Sequence, residues 1–392
     1  MNRKCTTITC VVIVLFLGLY SEVQAAENLH LSDSSTVAEA KMLLEKKEFN
    51  RAIVLLDALM KTRPRDTEVL ALLGTAYLNL GAFDEAQRFF ENALDLDPNN
   101  PQALHGMGKA FFFQGNFHKA KPFLLKAIAF PPERNQAYKH LGQLSLAEGD
   151  LDAARIYYEK LLQLDPTNFD ALNDLGVVYQ QGGLEREAEK YLKRLIDLYP
   201  SDKIGYLNIG AFYGSTGRLH DAIVNLNKAA EIDPYDSRPF RYLGVVYLQK
   251  KILDEAERQF SRVLALDPLN TDARVGLIVV YQGQGKFDQA LRMADEVQML
   301  GVESPQLHLI IANVYFLKGA YDSAITHARM QIEKEPRDPA GHYMLGVLYQ
   351  LKGMKEQSER AFAEVRELTK NAPKEHYEFK PETLFKTLGR KK

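Results

Sequence analysis

Cysteine is almost absent. Only Cys5 and Cys10 occur among the 392 residues. Everything downstream lacks a thiol, which excludes thiol catalysis and disulfide staples there. No Asn-x-Ser/Thr sequence occurs, so no N-glycan acceptor is present. No His-Glu-x-x-His sequence is available for zinc, and no glycine-rich phosphate loop follows a strand pattern. Charge of one sign is lacking too, with 49 basic against 51 acidic residues. Nucleic-acid affinity needs clustered positive charge, and the body of the chain shows none.

Long apolar runs are confined to the start. Arg3 and Lys4 precede an apolar stretch from Cys10 to Tyr20, followed by Val23-Gln24-Ala25. This reads as a secretory signal peptide, residues 1–25, cut after Ala25. The run falls short of the roughly 20 residues that span a bilayer. The alternative is an uncleaved inner-membrane anchor facing the periplasm. A lipoprotein anchor is disfavoured, because neither cysteine follows the apolar run in small-residue context. Removal of Arg3, Lys4 and Glu22 leaves a net charge of −3. An exported chain without disulfides or glycan sites leans towards a bacterial periplasm. Residues 26–34 read as a short linker. Residues 371–392 carry six basic against three acidic residues and end Arg390-Lys391-Lys392. They read as a solvated tail, or as one that docks on a partner or anionic lipid. Pro381–Phe385 offers a short capping helix.

What is present is a lattice. Proline recurs every 34 residues, at Pro64, Pro98, Pro132, Pro166, Pro200, Pro234, Pro268 and Pro336. Alanine runs in the same phase, from Ala52, Ala86 and Ala120 to Ala290 and Ala324. In the unit 67–98, with the proline at position 32, Leu70, Leu73, Gly74 and Tyr77 form one helical apolar face. Gly81 then signals a stop, and Ala86, Phe90 and Ala93 mark a second helix. Position 8 is glycine in seven units. Two helices crossing closely need small residues, and Gly at 8 against Ala at 20 supplies them. Asp97, Asp165, Asp233 and Asp267 precede repeat prolines as turn formers.

Small at 8, aromatic at 11, Gly at 15, Ala at 20 and Pro at 32 resemble the tetratricopeptide repeat family, whose 34-residue period they share. The resemblance covers 35–370 in ten units. It implies an all-α fold, a right-handed superhelical solenoid of helix-turn-helix repeats. Some units depart. The eighth has Ile278 at position 8 and Val302 at 32, with Gly301 and Pro305 nearby, so its crossing should be wider and its turn altered. The tenth has Ser358 and Lys370, which fits a polar end cap.

No converging catalytic constellation appears, so no catalytic, cofactor-binding or metal-binding residue is assigned. His105 and His140 lie on adjacent units, and His308 and His342 share one slot a repeat apart. Two ligands are too few for a defined metal site. Function is expected on a long surface. Positions 2, 5, 9 and 12 of each first helix form a stripe beside the packing face. The resemblance implies that this stripe lines a concave groove for extended or helical peptides. In the first half it includes His105, Lys109, Lys139, Gln143 and Asn173. In the second half it includes Leu207, Arg238, Arg241, Val245, Leu309, Asn313 and Tyr343, and is more apolar. That apolar half is covered either by a partner or by neighbouring helices that make it core. The carboxylate clamp of some family members is not matched. Lys139 and Gln143 begin it, but Asp174, Ile204 and Asn208 do not complete it.

The expected function is a non-catalytic envelope scaffold that binds peptide segments or helices of partner proteins. The assembly would serve secretion, pili, polysaccharide export or the outer membrane. The alternatives are a membrane-tethered assembly factor or an accessory subunit of an enzyme.

Overall fold

The computed structural model describes residues 33–131, 133–301 and 306–370. The leader, nearly all of the linker, Pro132, residues 302–305 and the basic tail, with the capping helix read in it from sequence, lie outside the described residues. Twenty helices and no strand occur among the described residues. They fall into two compact units that divide between Tyr191 and Leu192.

The first unit holds α1 (Asp33–Glu45), α2 (Phe49–Thr62), α3 (Thr67–Asn79), α4 (Phe83–Leu96) and α5 (Pro101–Phe113). It continues with α6 (Phe117–Ala127), α7 (Arg134–Ala147), α8 (Leu151–Leu164) and α9 (Phe169–Gln181). The boundary falls inside α10 (Glu185–Leu198). The second unit holds α11 (Lys203–Ser215), α12 (Leu219–Ile232), α13 (Ser237–Gln249), α14 (Leu253–Leu266) and α15 (Thr271–Gly283). It ends with α16 (Phe287–Met299), α17 (Leu307–Leu317), α18 (Tyr321–Lys334), α19 (Pro339–Leu351) and α20 (Lys355–Thr369). From α1 to α9, and again from α11 to α20, each helix packs on the next. Successive first helices also touch one another, so the first helices of each unit form a continuous layer.

Local chemistry sets the ends of the helices. Most first helices open on an Asp or Asn whose side chain accepts from the backbone two or three residues on. Asp66 takes the Glu68 and Val69 amides, Asn168 that of Ala171, and Asp338 that of Ala340. The aspartates before the prolines close the preceding turns, as the spacing predicts. Asp97, Asp165, Asp233 and Asp267 each accept from the amide two residues on. Position 15 is left-handed throughout, at φ 72° to 81° where it is glycine and about 60° at Lys47 and Lys251. A side chain is strained in that conformation, which explains the glycine lattice.

The interior corrects one expectation. Position 20 is fully buried alanine in nine units, from Ala52 to Ala324. A side chain at position 8, however, would strike position 24. A Cβ on Gly74 would lie 2.5 Å from the Phe90 ring, and one on Gly108 would lie 2.6 Å from Leu124. Position 24 also meets position 6 of the next repeat. Phe90 sits between Gly74 and Gly106, and Phe260 between Gly244 and Gly276. Burying such a ring stabilises the hairpin by roughly 1.5–3 kcal/mol. The eighth repeat exchanges the volumes, since Ile278 at position 8 shares a core cluster with Ala294 at position 24. In the tenth, Ser358 is buried and donates to the Gly346 carbonyl at 2.8 Å. The hydroxyl is thus satisfied inside the hairpin and is not a polar cap.

Candidate functional site

The fourth repeat breaks the capping rule. Its first helix, α7, follows Glu133, whose side chain makes no cap. The carboxylate instead accepts from His105 Nδ1 at 2.8 Å. His105 Nε2 is then free to accept from His140 Nδ1, 3.1 Å away. His140 Nδ1 also lies 2.8 Å from the Gln136 carbonyl, which fixes its proton there. The Phe112 ring stands edge-on to His140 at 6.0 Å. Burial, followed by the neighbouring His105, pushes His140 down to about 3. It is therefore neutral at physiological pH.

Around this relay the polar row of the first unit is tied from repeat to repeat. Gln102 donates to Thr75 at 2.9 Å. Lys139 reaches Asp170 of the next repeat at 2.5 Å. Asn173 donates to Asp174 at 2.9 Å. Burial raises the Asp174 carboxyl above its ordinary range. The Tyr158 hydroxyl, fully buried beside it, makes no hydrogen bond of good geometry. Lys109 and Gln143 stand apart. Both are half-buried, and neither has an ion pair or hydrogen bond among the described residues. The Lys109 amine lies 5.8 Å from the Phe113 ring centre. Burial and then Lys139 push this amine below its ordinary range, against an opposing pull from Glu133.

The second unit places its residues differently. Leu207, Leu309 and Asn313 are buried, at 3, 2 and 7 % exposure, and belong to the packing. Val245 and Tyr343 are half-buried, and Tyr343 meets the Phe362 ring edge-on at 5.7 Å. Arg241 lies 3.7 Å from Asp272 and over the Tyr242 ring at 4.5 Å. This repeats the Lys139–Asp170 link, position 5 to position 2 of the next repeat. Arg238 grips Asp236, its own helix cap, at 2.7 Å, and Lys203 joins the same carboxylate at 2.8 Å. Arg238 and Lys203 hold Asp236 well below the usual carboxylate range.

Both histidine pairs of the sequence reading have a definite outcome. His105 and His140 do meet. His308 instead meets His327 of its own repeat, Nδ1 to Nδ1 at 3.3 Å, while His342 lies 3.2 Å from the Pro336 carbonyl. Among the described residues no group of three His, Cys, Asp or Glu could hold a metal ion.

The model of the family described as tetratricopeptide repeat matches residues 43–91, 80–144, 145–208 and 253–314, and a second model of that description matches 205–236. The chain belongs to the tetratricopeptide repeat family. Such repeat proteins are generally non-catalytic scaffolds whose fold mediates protein–protein interaction. No curated protein sequence matches this tetratricopeptide repeat chain. Among solved structures, it resembles the Cut9–Hcn1 hetero-tetramer of the APC/C at 15 % identity, over 91 % of this chain and 84 % of that one, with a TM-score of 0.52. It resembles pilF of Pseudomonas aeruginosa at 22 % identity, over 57 % of this chain and 98 % of that one, with a TM-score of 0.48. It resembles MamA at 28 % identity, over 41 % and 94 %, with a TM-score of 0.37. The likeness to Cut9–Hcn1 is one of fold. No helix among the described residues is long and apolar enough to cross a membrane.

Proposed function

We propose that this tetratricopeptide repeat protein is a non-catalytic scaffold of the bacterial envelope that holds peptide segments or helices of partner proteins along its row of first helices. The observation that carries this reading is the row of the first unit. Its side chains are locked in register by Gln102–Thr75, His105–His140 and Lys139–Asp170. A surface ordered before binding loses less entropy when a partner arrives. The leader read in residues 1–25 supports a periplasmic location, and sequencing of the exported chain should find a start at Ala26. An envelope assembly for secretion, pili, polysaccharide export or the outer membrane is the proposed setting.

The test is site-specific photo-crosslinking in cells. A crosslinker at Gln143 or Asn173 should capture the same discrete partners, while one at Lys160 on α8 should not. Equal capture from both helices would overturn the reading.

A further inference from the structure

We propose that Lys109, with Gln143 beside it in register, is an acceptor for a carboxylate, so that the first unit selects acidic peptide segments. This rests on the reading of the row as a peptide-binding surface and names the chemistry that it selects.

The argument is one of elimination among neighbours. Every other cation or histidine of the row in this unit already has an acidic or hydrogen-bonding partner. Lys139 is held by Asp170, and His105 by Glu133 and His140. Gln102 is held by Thr75, and Asn173 by Asp174. Lys109 and Gln143 occupy position 9 of successive repeats, on α5 and α7, two helices in contact. Both are half-buried, and neither side chain has an ion pair or hydrogen bond among the described residues; Lys109 has only the Phe113 ring face. A half-buried ammonium without a counter-ion is in an unfavourable setting. Here burial and Lys139 together outweigh the one nearby carboxylate. An arriving carboxylate relieves that cost, and the Gln143 amide supplies a second donor to its other oxygen. A basic segment would meet Lys109 and Lys139 and gain nothing. A neutral segment would leave the ammonium desolvated and unpaired.

The probes are two blocked peptides of equal length, one glutamate-rich and one with glutamine in place of every glutamate, and inorganic phosphate alone. Affinity is measured on the full chain. The Lys109 amine is followed by NMR of lysine-labelled protein. The glutamate peptide should bind about 10-fold more tightly than the glutamine peptide, the size of a charge-assisted hydrogen bond. It should also move the Lys109 titration upward. Lys109→Met should abolish the preference and Lys109→Arg should keep it. Gln143→Ala should weaken it about 3-fold, the size of one neutral hydrogen bond. Unchanged circular dichroism in Lys109→Met guards against a folding effect. Equal binding of the two peptides overturns the inference, as does a preference that survives Lys109→Met, or phosphate that competes as well as the peptide. If crosslinking along the row persists while the acidic preference is absent, this inference alone fails. If the crosslinks themselves are absent, the underlying reading fails with it.

Discussion

The two units share one repeat but fill position 6 with different chemistry. In the first unit the slot passes from Gly106 to His140 to Asp174. In the second it reads Asn208, Tyr242, Gly276, Ile310 and Met344. The slot faces position 24 of the repeat before. Where that residue is Phe90 or Phe260, the slot is glycine in both units. Where it is Tyr158, the slot is Asp174, beside the phenol. Packing thus fixes the glycine cases, whereas the first unit retains a buried histidine and a half-buried aspartate that packing alone does not require. Each of those groups contacts one residue of the polar row, His140 meeting His105 and Asp174 accepting from Asn173.

The largest effect should come from breaking the shared part of this comparison. A Cβ at Gly106 would lie 2.2 Å from the Phe90 ring, and one at Gly276 would lie 2.5 Å from that of Phe260. Neither ring has free space, since Phe90 is fully buried and Phe260 is 1 % exposed. Gly106→Ala and Gly276→Ala should each cost about 1–3 kcal/mol, the range for overpacked cores. Pairing each with Phe→Leu at position 24 should recover part of the loss. Denaturant melts check this. Two single variants that melt like the parent would show that the slot is not volume-limited.

How much of this was legible in the residues depends on whether a feature repeats at one position or links two. Proline at 32 and glycine at 15 repeat in place at the ends of helices, as read; alanine at 20 repeats and is buried, but the residue that glycine at 8 makes room for is at 24. The Asp and Asn caps at 66, 100, 168, 202, 236, 270 and 338 repeat just as plainly. Each stands two residues after a repeat proline, where it opens the next helix as Asp97, Asp165, Asp233 and Asp267, before their prolines, close the last. The match between positions 24 and 6 was illegible by period alone. It joins unlike positions 16 residues apart, across a repeat boundary. The candidate row was legible as a stripe, but its burial was not. A helical wheel gives direction and not what stands opposite, so Leu207, Leu309 and Asn313 could not be told from groove residues. The partner of His308 failed for a related reason. Its neighbour is on the second helix of its own repeat, at a position that the slot-to-slot comparison with His342 never tests.

The next effect separates the units by pH. His140 is buried and neutral, with its pKa lowered from 6.5 to about 3. Its contribution is full above pH 6.5 and is lost as pH falls towards 3, because the unfolded chain takes up the proton first. At pH 5 the loss is about 2 kcal/mol, from roughly 1.4 kcal/mol per pH unit. Asp174 has the opposite sign. Its carboxyl is raised, so its contribution is largest in acid and is lost as pH rises above the ordinary carboxylate range. His140→Gln should therefore flatten the acid loss of stability, and Asp174→Asn should steepen it. In the second unit His308 and His327 are lowered by burial too, but remain partly exposed and should contribute less. Hydrogen exchange against pH, read per helix, separates the units. An acid loss confined to α17 and α18 would reverse the comparison.

The smallest effect tests a ladder of which the second unit carries three successive rungs. Position 14 of one repeat reaches position 18 of the repeat before. Gln284 reaches Asp254 at 3.1 Å, Lys318 reaches Asp288 at 2.6 Å, and Lys352 pairs with Asp322. Among its described residues the first unit has one such rung, the neutral donor Gln114 on Asp84 at 3.3 Å. Each acceptor sits in the first turn of its helix, where the backbone dipole already favours a negative charge. The rungs are solvated, so Lys352→Met should lower stability by only about 0.2–1 kcal/mol. Near 1 M salt the screening length shrinks to about 3 Å and that loss should vanish. Gln114→Ala, which removes a neutral donor, should cost the same at both salt concentrations. If Lys352→Met is equally costly in low and high salt, the lysine acts through its methylene stem lying on the preceding repeat, and the ladder is packing rather than charge.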